Sequence, residues 1–263
     1  MDVDTTPRVL MIGGHDPTGG AGLVADVETA AAFGCRALSL VTALTVQDTR
    51  GVTRFEPVDP ALLREQGERL LMDLKPNAVK IGMLASVDIA QVVVDLLKNC
   101  GGAQVVVDPV LASGAGDPLS DDRLRSVIRD QIARKCTLMT PNRRELLSLY
   151  EPPAMPDCAT LVTGTDSEAR GPVVHELHQP GAAPQRWRWR RLAGGYHGSG
   201  CTLASAAASR LAQGAALIDA VEDAQAYTWE TLARASDRGR GQWLPLRGPA
   251  KVFIAEGRRG QIG

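Results

Sequence analysis

The sequence is poor in aromatic residues: Phe, Tyr and Trp together make up 4% of its 263 positions. Long hydrophobic spans are missing too. No apolar run reaches the roughly 18 residues of a membrane helix, so no membrane partner is expected. Bulk charge is also absent, with a net charge of −1 and a pI of about 6.4. That removes the electrostatic case for nucleic acid or an anionic surface. Met1–Arg8 is acidic and has no apolar signal-peptide core, which makes a cytoplasmic location the expectation. Cysteine is scarce and scattered: Cys35, Cys100, Cys136, Cys158 and Cys201 include no Cys-x-x-Cys pair. An odd, dispersed set argues against a disulfide framework and against a zinc site.

What is present is an α/β pattern with 44% apolar residues, enough for a large core in a chain of 263 residues. Apolar runs at Val9–Ile12, Leu38–Val46, Ala78–Ile81, Val105–Val107, Thr137–Met139 and Leu161–Thr163 read as strands. Stretches with helical spacing lie between them at Leu23–Phe33, Leu62–Leu74, Ile89–Lys98, Arg123–Ile132 and Arg143–Leu149. Strand–helix alternation implies a mostly parallel sheet covered on both faces. Ligands of such sheets sit at the carboxyl ends of the strands. The polar residues just past each strand are therefore site candidates: His15, Asp16, Gln47, Met83, Asp108, Asn142 and Thr163. Arg186–Leu192 alternates strictly and reads as a half-exposed edge strand rather than a nucleic-acid strip. His175 and His178 lie in a short strand-like segment where a metal role is not expected.

Two glycine-rich runs carry the chemistry. His197-Gly198-Ser199-Gly200-Cys201-Thr202 precedes a helix of small residues, Leu203–Leu211. Its glycines allow a tight turn, and the helix start adds a positive end, which together suit an anion in transfer. A cysteine at such a position is expected to have a lowered pKa and to serve as a general base. The same run also fits a plain tight turn with Cys201 buried. The other run, Gly13–Gly22, holds five glycines. It lacks the Gly-Lys-Ser/Thr ending of a P-loop and would let the backbone close on a flat small molecule. Taken alone, it is equally a strand-to-helix connection. His197 is expected to position its loop. Asn142 and Glu145, three residues apart, also fit a helix capping pair.

Seven motifs in register resemble the hydroxymethylpyrimidine and phosphomethylpyrimidine kinases of thiamine biosynthesis. They are the first glycine run with Ala25-Asp26, Val41–Thr49, Lys80-Ile81-Gly82-Met83-Leu84, Val107-Asp108-Pro109-Val110, Met139–Asn142 with Glu145, Val162–Thr165, and Tyr196–Thr202. The resemblance spans about Arg8 to Gln242. It implies a ribokinase-like α/β fold, with one kinase domain over residues 1–263 behind a flexible 1–7. It also implies ATP and Mg2+ as cofactors and a small pyrimidine alcohol as partner. Gly14, Asp26, Gln47, Met83 and Val110 would line the pyrimidine pocket. Asp108 and Glu145 would sit at the metal, while Asn142, Thr163 and Gly164 would contact the nucleotide. Gly198, Ser199 and Gly200 would form the anion hole, with Cys201 as base.

The sequence departs from that family in two places. The loop Leu111–Asp117 has no lysine, so a phosphate contact there would come from backbone N–H groups or Ser113. The Pro152–Cys158 stretch is too short for the helix usual in the family, through a deletion or an omitted stretch. A pyridoxal kinase and a non-catalytic pyrimidine-binding protein are the rival readings. Thr45–Thr53 is a candidate lid, and oligomeric state stays open, a homodimer included.

Overall fold

Local sequence accounts for most of the elements in the computed structural model, which describes residues 5–113, 116–164, 171–236 and 239–262. The first apolar run forms β1 (Arg8–His15), and the glycine run leads into α1 (Gly22–Ala32). β2 (Arg36–Asp48) and β3 (Gly51–Pro57) make a hairpin. α2 (Pro60–Asp73) opens with Asp59 accepting from the Ala61 N–H and a proline in its first turn. β4 (Ala78–Ile81), α3 (Val87–Leu97, capped by Ser86) and β5 (Gln104–Val107) follow. The helix expected over Arg123–Ile132 is not uniform. α4 (Asp122–Val127) widens into a π turn and then tightens into a 3-10 turn that ends at Lys135.

Next come β6 (Leu138–Met139), α5 (Arg143–Leu149), β7 (Ala159–Val162), β8 (Val173–His178) and β9 (Gln185–Trp189). α6 (Ser199–Ala212), α7 (Leu217–Ala233), α8 (Ala250–Gly257) and β10 (Gln261–Ile262) complete the set. α5 alone supplies the crossover from β6 to β7, and residues 150–158 carry turns and no helix. Residues 1–4 of the N-terminal segment, and Thr165 of the Val162–Thr165 motif, lie outside the described residues.

All ten strands join one sheet in the order β10-β9-β8-β7-β6-β5-β4-β1-β2-β3. β2, β1, β4, β5, β6 and β7 run parallel, and antiparallel strands extend both ends. β9 is not an edge as expected: β10 pairs along it through Trp189–Gln261 and Arg188–Ile262. Its alternation is real, because Trp187 and Trp189 are buried while Arg186 and Arg188 are exposed.

The central strands read as unbroken apolar runs because both faces are covered. Along β1, Val9 and Met11 join a core beneath α1, α6, α7 and α8. Leu10 and Ile12 join a second core beneath α2, α3 and α4. The same period of two puts Lys80 on the α1–α6 face, beside Ala78 of that core. Asp108, two residues beyond Val106, faces the same way.

Candidate active site

The charged centre of the site comes from that alternation. The Lys80 ammonium is buried and lies 2.8 Å from both carboxylate oxygens of Asp26, on α1. Ser205, on α6, donates to the same carboxylate at 2.7 Å. Burial would lower the Lys80 pKa, but the neighbouring Asp26 carboxylate more than offsets this, and Cys201 and Asp108 push the same way, so the ammonium is held charged. Sequence reasoning noted Lys80 only as part of a motif. A lysine within an otherwise apolar strand was the signal that it has a buried partner.

The two glycine runs are locked together above this pair. Gly198 caps α6 with φ +71°, and a Cβ there would lie 1.9 Å from the Gly20 carbonyl oxygen. Only glycine allows both the backbone angle and the approach. No side chain caps the start of α6, so its first turn presents backbone N–H groups with the positive end of the helix dipole. The Asp16 carboxylate ties the loops. It accepts from the N–H and hydroxyl of Thr18, from the Ala21 N–H and from the His197 ring, at 2.8–2.9 Å. Gln47 stands near enough to favour its charged form. Burial works to raise the Asp16 pKa, but the polar neighbours His197, Gln47 and Thr18 outweigh it and hold the carboxyl well below the usual range. His197 is thus a structural link, with its N–H bonded to the Trp243 carbonyl at 2.9 Å.

Cys201 stands in the first turn of α6. The expected lowering of its pKa is reversed. Burial pushes the thiol up to about 11, and although Lys80 opposes this, Asp26 and Asp108 add to the rise. Two nearby carboxylates and desolvation outweigh the helix dipole.

At the ends of β5, β6 and β7 the expected metal and nucleotide residues come together. Asp108 lies beneath Gly200, where a Cβ would sit 3.2 Å from its Oδ2. Its pKa is raised by burial, with Lys80 opposing and Asp26 adding. Asn142 and Glu145 form a reciprocal capping box at α5, with bonds of 3.0 and 2.9 Å. The capping reading is therefore realised, yet Glu145 is not only a cap. Burial first, and then the Asp108 charge, raise its pKa, so the two carboxylates share one electrostatic environment. Thr163 bridges to Asn142 and donates its N–H to the Pro141 carbonyl. Gly164 runs so close to Val174 that a Cβ would meet its carbonyl at 2.2 Å. Ser113, the alternative phosphate contact, donates instead to Asp117 at 2.7 Å. Asp117 in turn accepts the Val52 N–H at the hairpin tip.

The expected pyrimidine pocket is assembled in part. Met83 and Val110 join a small apolar cluster with Ala43 and Leu119, flanked by Val52 and Phe55 of β3. Gly14 borders it, its position 3.2 Å from the Met83 sulfur for an added Cβ. Gln47 is part-exposed on the hairpin. Asp26 does not join them: it is fully buried, with its carboxylate bound to Lys80 and Ser205. Phe55 and Leu119 carried no sequence signal, because apolar residues at a pocket wall look like any core residue. His175 lies elsewhere. Its Nδ1 and the Trp189 indole N–H both meet Gln225 Oε1 at 2.9 Å. That oxygen only accepts, so Nδ1 carries the hydrogen.

Residues 16–245 match the family model described as phosphomethylpyrimidine kinase. The chain belongs to that family. It is 31% identical to the hydroxymethylpyrimidine/phosphomethylpyrimidine kinase of Escherichia coli K12, over 94% of this chain and 98% of that one. It is 34% identical to a probable thiamine biosynthetic bifunctional enzyme of rice chloroplasts, but spans only 45% of that longer protein. Among solved structures, the phosphomethylpyrimidine kinase of Clostridium difficile superposes with a TM-score of 0.72 at 28% identity, covering 85% of this chain and 98% of that one. A Bacillus subtilis pyridoxal kinase, solved with ADP, superposes with a TM-score of 0.83 at 22% identity, covering 94% and 100%. The fold is thus the ribokinase-like α/β fold that the sequence motifs implied.

Proposed function

We propose that this protein transfers the γ-phosphoryl group of ATP to the hydroxyl of 4-amino-5-hydroxymethyl-2-methylpyrimidine, to its monophosphate, or to both, as one kinase domain. The observation that carries this is the uncapped, glycine-built start of α6 between a carboxylate pair and a small apolar wall. Met83, Val110 and Phe55 suit one face of a flat ring. The Gln47 amide both donates and accepts, as an aminopyrimidine edge requires.

Asp108 and Glu145 would hold magnesium, directly or through water. Among the described residues no group of three or more His, Cys, Asp or Glu could hold a metal ion. Two carboxylates without a cage suit Mg2+ that keeps waters and rides on phosphate oxygens. Bound there, the ion would offset the charge of the transferring group. Asn142, Thr163 and Gly164 would contact the nucleotide. The N–H groups of Ser199, Gly200 and Cys201 would receive the phosphoryl oxygens, and Cys201 would take the hydroxyl proton as the new O–P bond forms and the bond to the ADP oxygen breaks. Positioning and charge neutralisation dominate such transfers. The buried Asp26–Lys80 pair would set the field beneath them. No described helix is long and apolar enough to cross a membrane. A cytoplasmic place of action, where MgATP is at hand, belongs to this reading, with a homodimer to be tested by light scattering.

Incubation with MgATP and each candidate alcohol, following ADP and phosphorylated product, tests it. Turnover of the pyrimidine alcohol or its monophosphate is expected. Turnover of pyridoxal alone would instead favour the reading suggested by the fold shared with the pyridoxal kinase. Pyrimidine binding without turnover would make the chain a binding protein.

A further inference from the structure

We infer that Arg247 is a positioning residue for phosphoryl transfer, holding the first glycine loop against the anion hole. Its side chain is 2% exposed, although it follows the last expected motif and sits outside any regular element. The guanidinium reaches three parts of the site. It donates to the carbonyls of Gly19 and Gly20 at 3.2 and 2.6 Å, and to the Thr202 hydroxyl in the first turn of α6 at 3.2 Å. The remaining contact is Glu28 at 3.0 Å, a carboxylate that is itself 52% exposed. A planar fork with five donors can bind both loops at once, which a lysine cannot.

The position matters because Gly20 is the contact surface of the anion hole. Its carbonyl oxygen fills the place of a Cβ at Gly198, and a Cβ at Gly20 itself would collide with His197 and Leu244. Fixing the Gly19 and Gly20 carbonyls therefore fixes where Gly198 begins α6 and where its N–H groups point. Arg247 is also the last anchor of a strap, residues 239–247, that bonds to the β2–β3 hairpin, to the second glycine run and to α7. The Gln242 N–H bonds to Thr49 at the tip of the β2–β3 hairpin at 2.8 Å. Trp243 bonds to Gly195 and His197 at 2.8 and 2.9 Å, and Leu246 to Thr231 of α7 at 3.1 Å. The strap joins the hairpin that carries Gln47 to the loop that carries the anion hole.

This inference rests on the kinase reading, and wild-type turnover tests that reading separately. Arg247→Lys and Arg247→Gln are to be compared with wild type for kcat, both KM values and thermal midpoint, with Glu28→Gln as control. Loss of a direct anion-hole donor lowers kcat by roughly 10²–10³. Loss of its support is expected to lower kcat by about tenfold or more, since small misplacements are costly in such steps. KM for the pyrimidine alcohol and for MgATP should stay near wild type, and so should the midpoint. Glu28→Gln should keep wild-type kcat, because the exposed ion pair is not what aligns the loops. Millimolar guanidinium should restore part of the turnover of an Arg247→Ala variant and leave wild type unaffected. Unchanged kcat in the Arg247 variants would overturn the inference. So would a loss of kcat that only tracks loss of folded protein, failure of all three variants to fold, absence of rescue in folded Arg247→Ala, or an equal loss in Glu28→Gln.

Discussion

At the scale of single residues, the site depends on side chains whose neighbours decide their chemistry. Cys201 shows this most clearly. A helix start lowers a thiol pKa, yet burial and two carboxylates push this one up to about 11. In the unliganded protein it rests as a thiol, and its use as a base depends on cations that offset Asp26 and Asp108. Cys201→Ala is expected to leave pyrimidine binding near wild type, by calorimetry, and to lower kcat by roughly 10²–10⁴, the usual worth of general base catalysis. Near-wild-type kcat in that variant would exclude Cys201 as the base. The cysteine itself was legible in the sequence from its glycine neighbours. Its protonation was not, because Asp26 and Lys80 are 175 and 121 positions away in the chain and only the folded sheet brings them beside it.

At the scale of elements, one buried ion pair joins three of them. Asp26 comes from α1, Lys80 from β4 and Ser205 from α6. All three lie on one face of the sheet, so the pair ties α6 to the central strands. Lys80→Met leaves the Asp26 charge buried with only the Ser205 hydroxyl. Breaking a buried pair by removing one partner costs about 3–5 kcal/mol, and urea unfolding is expected to show a loss of that size. A change below about 1 kcal/mol, the worth of an exposed pair, would mean that the pair is solvated in solution. The elements themselves were largely legible. β1, β4, β5 and α3 stand where their apolar periodicity placed them. β3 was not read, because its exposed positions alternate weakly and its pairing partner β2 defines it. β10 has two residues and exists only as a pairing with β9.

At the scale of the whole molecule, stability depends on groups remote from the site. His175 is buried against Gln225, and burial lowers its pKa from 6.5 to about 4, with the Gln225 bond opposing. A group with a depressed folded-state pKa binds its proton more readily when unfolded. For His175 the stabilising difference is present above 6.5 and is lost as the pH falls toward 4. The thermal midpoint should therefore fall through that window, and His175→Gln should flatten the acid limb. An unchanged acid limb in the folded variant would show that other groups govern it. The sequence by itself determined the α/β class, the strand–helix alternation and the family, since these follow from local periodicity and from motifs of adjacent residues. Only the tertiary structure decided that Asp26 is a buried partner of Lys80, that Asp16 ties the first glycine loop to His197, and that Arg247 bonds to Gly19, Gly20 and Thr202 at once. Those assignments depend on burial and on charges brought together from distant segments, and such proximity leaves no periodic trace along the chain.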